Sequence, residues 1–175
     1  MDLVVVSNAQ YDVQDCTFVD SRSQQAIYRV HAKRSSIFTP PTTYITRSMM
    51  ASSEVDVAII EWGTFGKAKV RWPDGRLVDS KELLERHGLG RSFAMDFDHN
   101  HPLLHSQLEA DGHVIAQYHE KRRGLGGLFS SGPNDSKFTV ATPALGMLDL
   151  IVLTWAIVER RRQIRKEMSK SAAGG

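Results

Sequence analysis

The densest run of potential metal ligands in this 175-residue chain is Asp96-Phe97-Asp98-His99-Asn100-His101-Pro102-Leu103-Leu104-His105. Imidazole and carboxylate groups both coordinate zinc or another divalent ion, and His101 and His105 would share one face of a helix. Pro102 lies between them, no cysteine accompanies them, and no HExxH spacing appears. Without a recognised ligand framework the spacing predicts a solvated polar loop. A metal-dependent hydrolase using His99, His101 and His105 is carried as the weakest alternative. No cofactor is expected.

A second set is cationic. His113 and His119 fall on one face of an alternating run that leads into Lys121-Arg122-Arg123. Together these residues would suit a phosphorylated head group. The glycine-rich Gly124–Pro133 loop follows, and its Leu128 and Phe129 could enter a membrane surface. The bland alternative is a charged strand end with an ordinary connector, since charge runs are usually solvated. Arg160-Arg161-Arg162 with Arg165-Lys166 forms another basic cluster, expected to carry a helix into water and to complement its negative end.

Covalent catalysis has little to work with. Cys16 is the sole thiol and no local sequence pairs it with a histidine; no serine stands in a GxSxG context. Gly124-Leu125-Gly126-Gly127 lacks the spacing of a P-loop or dinucleotide fingerprint. One cysteine also excludes an internal disulfide and suits a reducing compartment. The net charge of +2 is too small to imply nucleic-acid binding by itself. Met1-Asp2-Leu3-Val4-Val5-Val6 lacks a basic n-region, so a cytoplasmic location is expected, peripheral at membranes or nuclear.

The elements that would position these groups are mostly short strands. Candidates are Leu3–Ser7, Thr17–Asp20, Ala26–His31, Thr43–Arg47, Val55–Trp62, Ala68–Trp72, Arg76–Val78, Ser92–Phe97, His113–His119 and Phe138–Ala141. In the ninth, Val114, Ala116 and Tyr118 would share a face. Pro73-Asp74-Gly75 between two strand-like runs predicts a hairpin, and Asp111-Gly112 a second turn. Ser80 would cap a short helix stopped by Gly88.

One segment decides the architecture. Thr142 is placed to cap a helix and Pro143 to open it, with the helix running over about 143–166 and a flexible tail over 171–175. From Ala144 to Val158 the apolar residues, among them Leu148, Ile151, Val152 and Trp155, fall on every side at 100° steps. A helix with no polar face must be enclosed. Fifteen residues reach only about 22 Å, short of the roughly 30 Å hydrocarbon core, and Asp149 adds a penalty. No transmembrane span is therefore expected. An oligomer core would also enclose the helix. The favoured enclosure is a closed antiparallel β-barrel in a single domain over 1–170, with Asp149 bonded to a strand arginine or tyrosine hydroxyl.

A β-rich chain closing on an apolar C-terminal helix that ends in basic residues resembles the tubby C-terminal, phospholipid-scramblase and LURP-one superfamily. The chain is similar, more narrowly, to short fungal proteins assigned to that group. The similarity is carried by Ala26-Ile27-Tyr28-Arg29-Val30, Ala58-Ile59-Ile60-Glu61-Trp62, Val114–His119 and Leu148-Asp149-Leu150-Ile151-Val152-Leu153-Thr154-Trp155, then Val158-Glu159-Arg160-Arg161-Arg162. It covers about residues 15–165. The resemblance implies a barrel of about twelve strands around a central helix, and lipid-binding roles. Tubby's C-terminal signature and its paired basic strand residues are not found here. The expectation is a non-enzymatic module recognising anionic phospholipid or phosphoinositide at a membrane surface, through His113, His119 and Lys121–Arg123. A protein-interaction or oligomeric scaffold is the alternative from another class.

Overall fold

A computed structural model describes residues 1–7, 14–33, 40–49, 53–86, 104–110, 113–120 and 136–173. Period-two alternation drives most of it. Strands β1 (Asp2–Ser7), β2 (Asp15–Asp20), β3 (Ala26–Lys33), β4 (Thr42–Ser48), β5 (Glu54–Trp62), β6 (Ala68–Arg71) and β7 (Leu77–Asp79) follow one another as an antiparallel meander. Strands β8 (Leu104–Ala110), β9 (His113–Glu120) and β10 (Ser136–Val140) form a second meander. β10 then pairs with β1, giving one ten-stranded sheet in the order β7-β6-β5-β4-β3-β2-β1-β10-β9-β8. Among the described residues β7 and β8 have no further strand partner, so the sheet is not closed.

Nearly every expected strand lies where its alternation placed it, and the Pro73-Asp74-Gly75 hairpin does too. Gly75 takes φ +86°, and Trp72 and Arg76 close the turn by backbone hydrogen bonds. The expected Ser92–Phe97 strand and the Gly88 stop lie outside the described residues. β8 is an addition: Leu104 and His105, read as part of a loop, begin a strand. The Ala110↔His113 pairing leaves only two residues between β8 and β9. Val114 is exposed instead of sharing the buried face of Ala116 and Tyr118. The register shifts between Leu108 and Glu109, setting Glu109 opposite Val114 and Leu108 opposite Ala116. Such a bulge breaks the alternation there.

The C-terminal helix differs from its expected start and end. Thr142–Met147 is a 3₁₀ turn whose cap is Ala141, with no side-chain cap hydrogen bond; α2 begins at Leu148 and runs to Ala173. Pro143 suits the tight turn because its missing N–H would have no helical partner anyway. Residues 171–173, expected in a tail, are thus helical. Asp149 supplies the negative charge in the first turn, where the helix dipole favours it.

Every residue from Ile151 through Glu159 is buried. At 100° per residue such a run faces all directions, so protein surrounds the helix over that length. Trp155 meets Phe18 of β2, Tyr118 of β9 and Phe138 of β10 edge-on, with ring centroids 5.0, 5.3 and 6.1 Å away. Near its start the helix meets β3 and β4. The inner face of one curled sheet therefore reaches α2 from several sides, and the core is a single cluster. By length and composition alone Thr142–Ser171 would also cross a bilayer, with mean hydropathy 1.5, yet 56% of that apolar window is buried within the protein.

The paired registers define two rims. The end of β10, the start of β1, the end of β2, the start of β3, the end of β4 and the start of β5 lie together where α2 begins. The opposite rim, where α2 leaves, gathers the end of β5, the start of β6, the end of β7, the end of β9 and the start of β10.

Candidate functional site

At the start rim Tyr28 and Arg47 sit directly opposite one another on β3 and β4. Both reach Asp149: the Tyr28 hydroxyl donates to Oδ1 at 2.5 Å, and Arg47 Nη1 donates to Oδ1 and Oδ2 at 3.0 Å each. Burial first, then the bond to Asp149, pushes the Tyr28 hydroxyl well above its ordinary pKa, so it stays protonated and donating. The carboxylate's needs are thus met by the strand tyrosine and arginine that its place in the helix called for. The cluster holds the helix in register and presents no nucleophile.

The exit rim is different. Arg161, half-buried on α2, donates from Nε to the Gly66 carbonyl at 3.1 Å and from Nη2 to Ser80 Oγ at 2.7 Å. Gly66 ends the 3₁₀ turn Thr64–Gly66 with φ +75°, a conformation that glycine adopts without strain. Ser80 is fully buried at the start of α1 (Ser80–Arg86). Its hydroxyl does not cap that helix, as its sequence position suggested. Asp79 Oδ1 takes the Lys81 N–H instead, at 2.8 Å, which leaves Ser80 to fix the guanidinium.

Around Arg161 opens a cleft of about 640 Å³ between α2, the Gly66–Ala68 segment and the start of α1. Lys67, Lys81 and Arg165 line it together with the apolar Ile164 and Met168, and among the described residues Asp79 is its one carboxylate. Burial pushes the Arg161 guanidinium below its usual range, Arg165 adds to this, and Asp79 opposes it. Arrangements of this kind attract anions, because a guanidinium offers a planar fork of donors and lysines add mobile point charge.

Arg160 and Arg162 were expected to mark the entry of the helix into water. Instead their side chains are only 13% and 12% exposed. Arg162 Nε bonds the buried Glu159 carboxylate at 2.7 Å, while Arg160 bonds Gln163 and approaches Glu167. Long arginine stems cover apolar surface here, and the helix becomes exposed only from Arg165 onward.

His113 and His119 both lie on β9, as expected. His113 and His119 occupy opposite ends of β9, so about six strand residues, or about 20 Å, separate them. His113 lies at the start rim; His119, at the exit rim, is flanked on its neighbouring strands by Lys137 and His105. His105 is thus in a strand rather than on a helix with His101. Lys121, Arg122, Arg123, Leu128, Phe129, His99 and His101 lie outside the described residues. Among the described residues no group of three His, Cys, Asp or Glu side chains is arranged to hold a metal ion. Of the helix core, Ile151, Val152 and Trp155 are buried, while Leu148 and Asp149 are partly covered.

Sequence reasoning had placed the cationic site on Lys121–Arg123 and missed the cleft. Its members come from four separated stretches: Lys67, Asp79–Lys81, Arg161 and Ile164–Met168. Only the Arg160–Lys166 cluster gave a signal, and it reads equally as a solvated helix end.

No curated protein and no solved structure matches this chain. A model of one family does match, over residues 11–164, which span β2 to β10 and the buried part of α2. The chain belongs to that family, a family of unknown function (DUF6593).

Proposed function

We propose that this chain is a non-enzymatic module that docks on anionic phospholipid at a membrane surface, presenting its exit rim. The observation that carries this is the gathering of Lys67, Lys81, Arg161 and Arg165 around one open cleft in which, among the described residues, Asp79 is the single carboxylate. Asp2, Asp20 and Glu54 lie at the start rim, with Asp149 and Arg47. Glu120 ends β9 at the exit rim, and Lys121-Arg122-Arg123 follow it in the sequence. Each lysine or arginine near an anionic leaflet contributes about 1 kcal/mol, enough in sum for salt-sensitive binding. On this reading the protein is cytoplasmic and peripheral, and α2 is the core of the domain.

The same reading takes the sheet to close into a barrel around α2, in the manner of the tubby and scramblase superfamily that the sequence resembles. The burial of Ile151–Glu159 on all sides supports it, as does the joining of the two meanders through β1 and β10. NMR contacts between β7 or β8 and residues 87–103 would establish closure; long-lived unprotected amides along both edges would count against it.

Co-sedimentation with phosphatidylserine vesicles against phosphatidylcholine vesicles tests the docking. Binding to the former alone is expected, weakened about tenfold or more by Lys67→Glu with Lys81→Glu, since each charge reversal acts twice over. Both lysines are exposed, so the fold should survive. Equal binding to the two vesicle types would end the proposal.

A further inference from the structure

Arg161 is a guanidinium taken half out of water that makes no ion pair among the described residues, although Asp79 attracts it. Two of its nitrogens are fixed by neutral groups, the Gly66 carbonyl and Ser80 Oγ. Nη1 makes no hydrogen bond among the described residues. Asp79, the nearest acid of the cleft, already accepts the Lys81 N–H. Partly buried charge of this kind is costly unless something pairs with it. A guanidinium fixed through two of its nitrogens at the wall of an open cleft is a donor held ready for an anion.

We propose that the cleft is a binding site for a phosphate monoester, with Arg161 as its fixed donor and Lys67, Lys81 and Arg165 as the surrounding charge. Three features select this chemistry. Four cations against, among the described residues, one carboxylate favour an anion of charge two over a carboxylate or a diester. The cleft, at about 640 Å³, holds more than a bare phosphate, so the ester substituent has room. Ile164 and the exposed Met168 then offer that substituent an apolar side. A soluble metabolite and the head of a lipid both carry this ester; the recognised chemistry is shared. The inference rests on the exit rim being an anion-binding surface and assigns it a specific seat.

Isothermal calorimetry of the full chain with inorganic phosphate and with glycerol 3-phosphate tests the soluble source, and phosphatidic acid vesicles against phosphatidylserine vesicles of equal charge test the lipid source. Saturable one-to-one binding of either soluble probe, or a clear preference for phosphatidic acid, is the expected result. Arg161→Lys, which keeps the charge but loses the planar fork, should weaken that binding about tenfold or more. Lys67→Ala with Lys81→Ala should do the same from exposed positions that leave the fold alone. Neither soluble probe binding, together with equal binding of the two vesicle types, would overturn the site, as would binding indifferent to all these substitutions. Phosphate binding by a chain that ignores phosphatidylserine vesicles would keep the site and remove the membrane proposal; the reverse would do the opposite.

Discussion

Asp149 shows how one residue ties a helix to a sheet. Its carboxylate takes a tyrosine hydroxyl and an arginine from directly opposed positions on neighbouring strands. Asp149 and Arg47 keep side-chain exposures of 37% and 39%, so screening reduces the pair to about 1 kcal/mol. Tyr28 is different, because it is almost fully buried. Its hydroxyl loses its proton at higher pH in the folded chain than in the unfolded one, where the ordinary value is 10.0. Above that value the unfolded chain releases a proton that the folded chain keeps, so stability falls as pH rises. Tyr28→Phe should cost about 1 kcal/mol near neutral pH and flatten this alkaline slope in urea titrations followed by circular dichroism. Thr154 supplies a second residue-scale test. It is fully buried and its Oγ1 has no hydrogen bond. Thr154→Val removes an unsatisfied hydroxyl without enlarging the side chain, and should raise the unfolding free energy by about 1 kcal/mol.

At the scale of elements, α2 carries the core. Its buried stretch is apolar in every direction, and Trp155 touches strands from both meanders. Trp155→Ala should therefore lower stability by about 3–5 kcal/mol, read as a fall in the urea midpoint with the slope unchanged. The same substitution at Trp72, partly buried beside the β6–β7 turn, should cost much less. The strands were legible because each sheet face differs in polarity and Pro-Asp-Gly has few uses besides a turn. β8 is less legible because His105 reads as the end of the Asp96–His105 run of possible ligands. The alternation of Leu104, Ser106 and Leu108 on the other face was there to be read. Helix ends were less legible still: Thr142 and Ser80 both have cap-forming side chains, yet neighbouring geometry put one inside a 3₁₀ turn and gave the other to Arg161.

At the scale of the whole molecule, the two rims differ in character. The helix start is tied by Asp149 to Tyr28 and Arg47, and at its exit Lys67, Lys81, Arg161 and Arg165 gather around one cleft. A protein docking by such an end should leave membranes when counterions screen it, whereas one anchored by α2 would not. Raising salt from about 0.1 to 1 M, which shortens the Debye length from about 10 to 3 Å, should release the vesicle-bound protein in flotation assays. Retention through that wash and through alkaline extraction would instead mark α2 as a span.

The order of the residues determined the strand-rich class, the principal hairpin and the need for enclosure of a helix with no wettable side, since each follows from local periodicity. It also required a partner for Asp149, because a carboxylate in apolar surroundings must be bonded. The identity of those partners, the burial of the arginines after Glu159 and the cleft around Arg161 were decided by the tertiary structure alone. All three depend on which distant segments the sheet registers bring to the same rim, and no spacing along the chain encodes that separation.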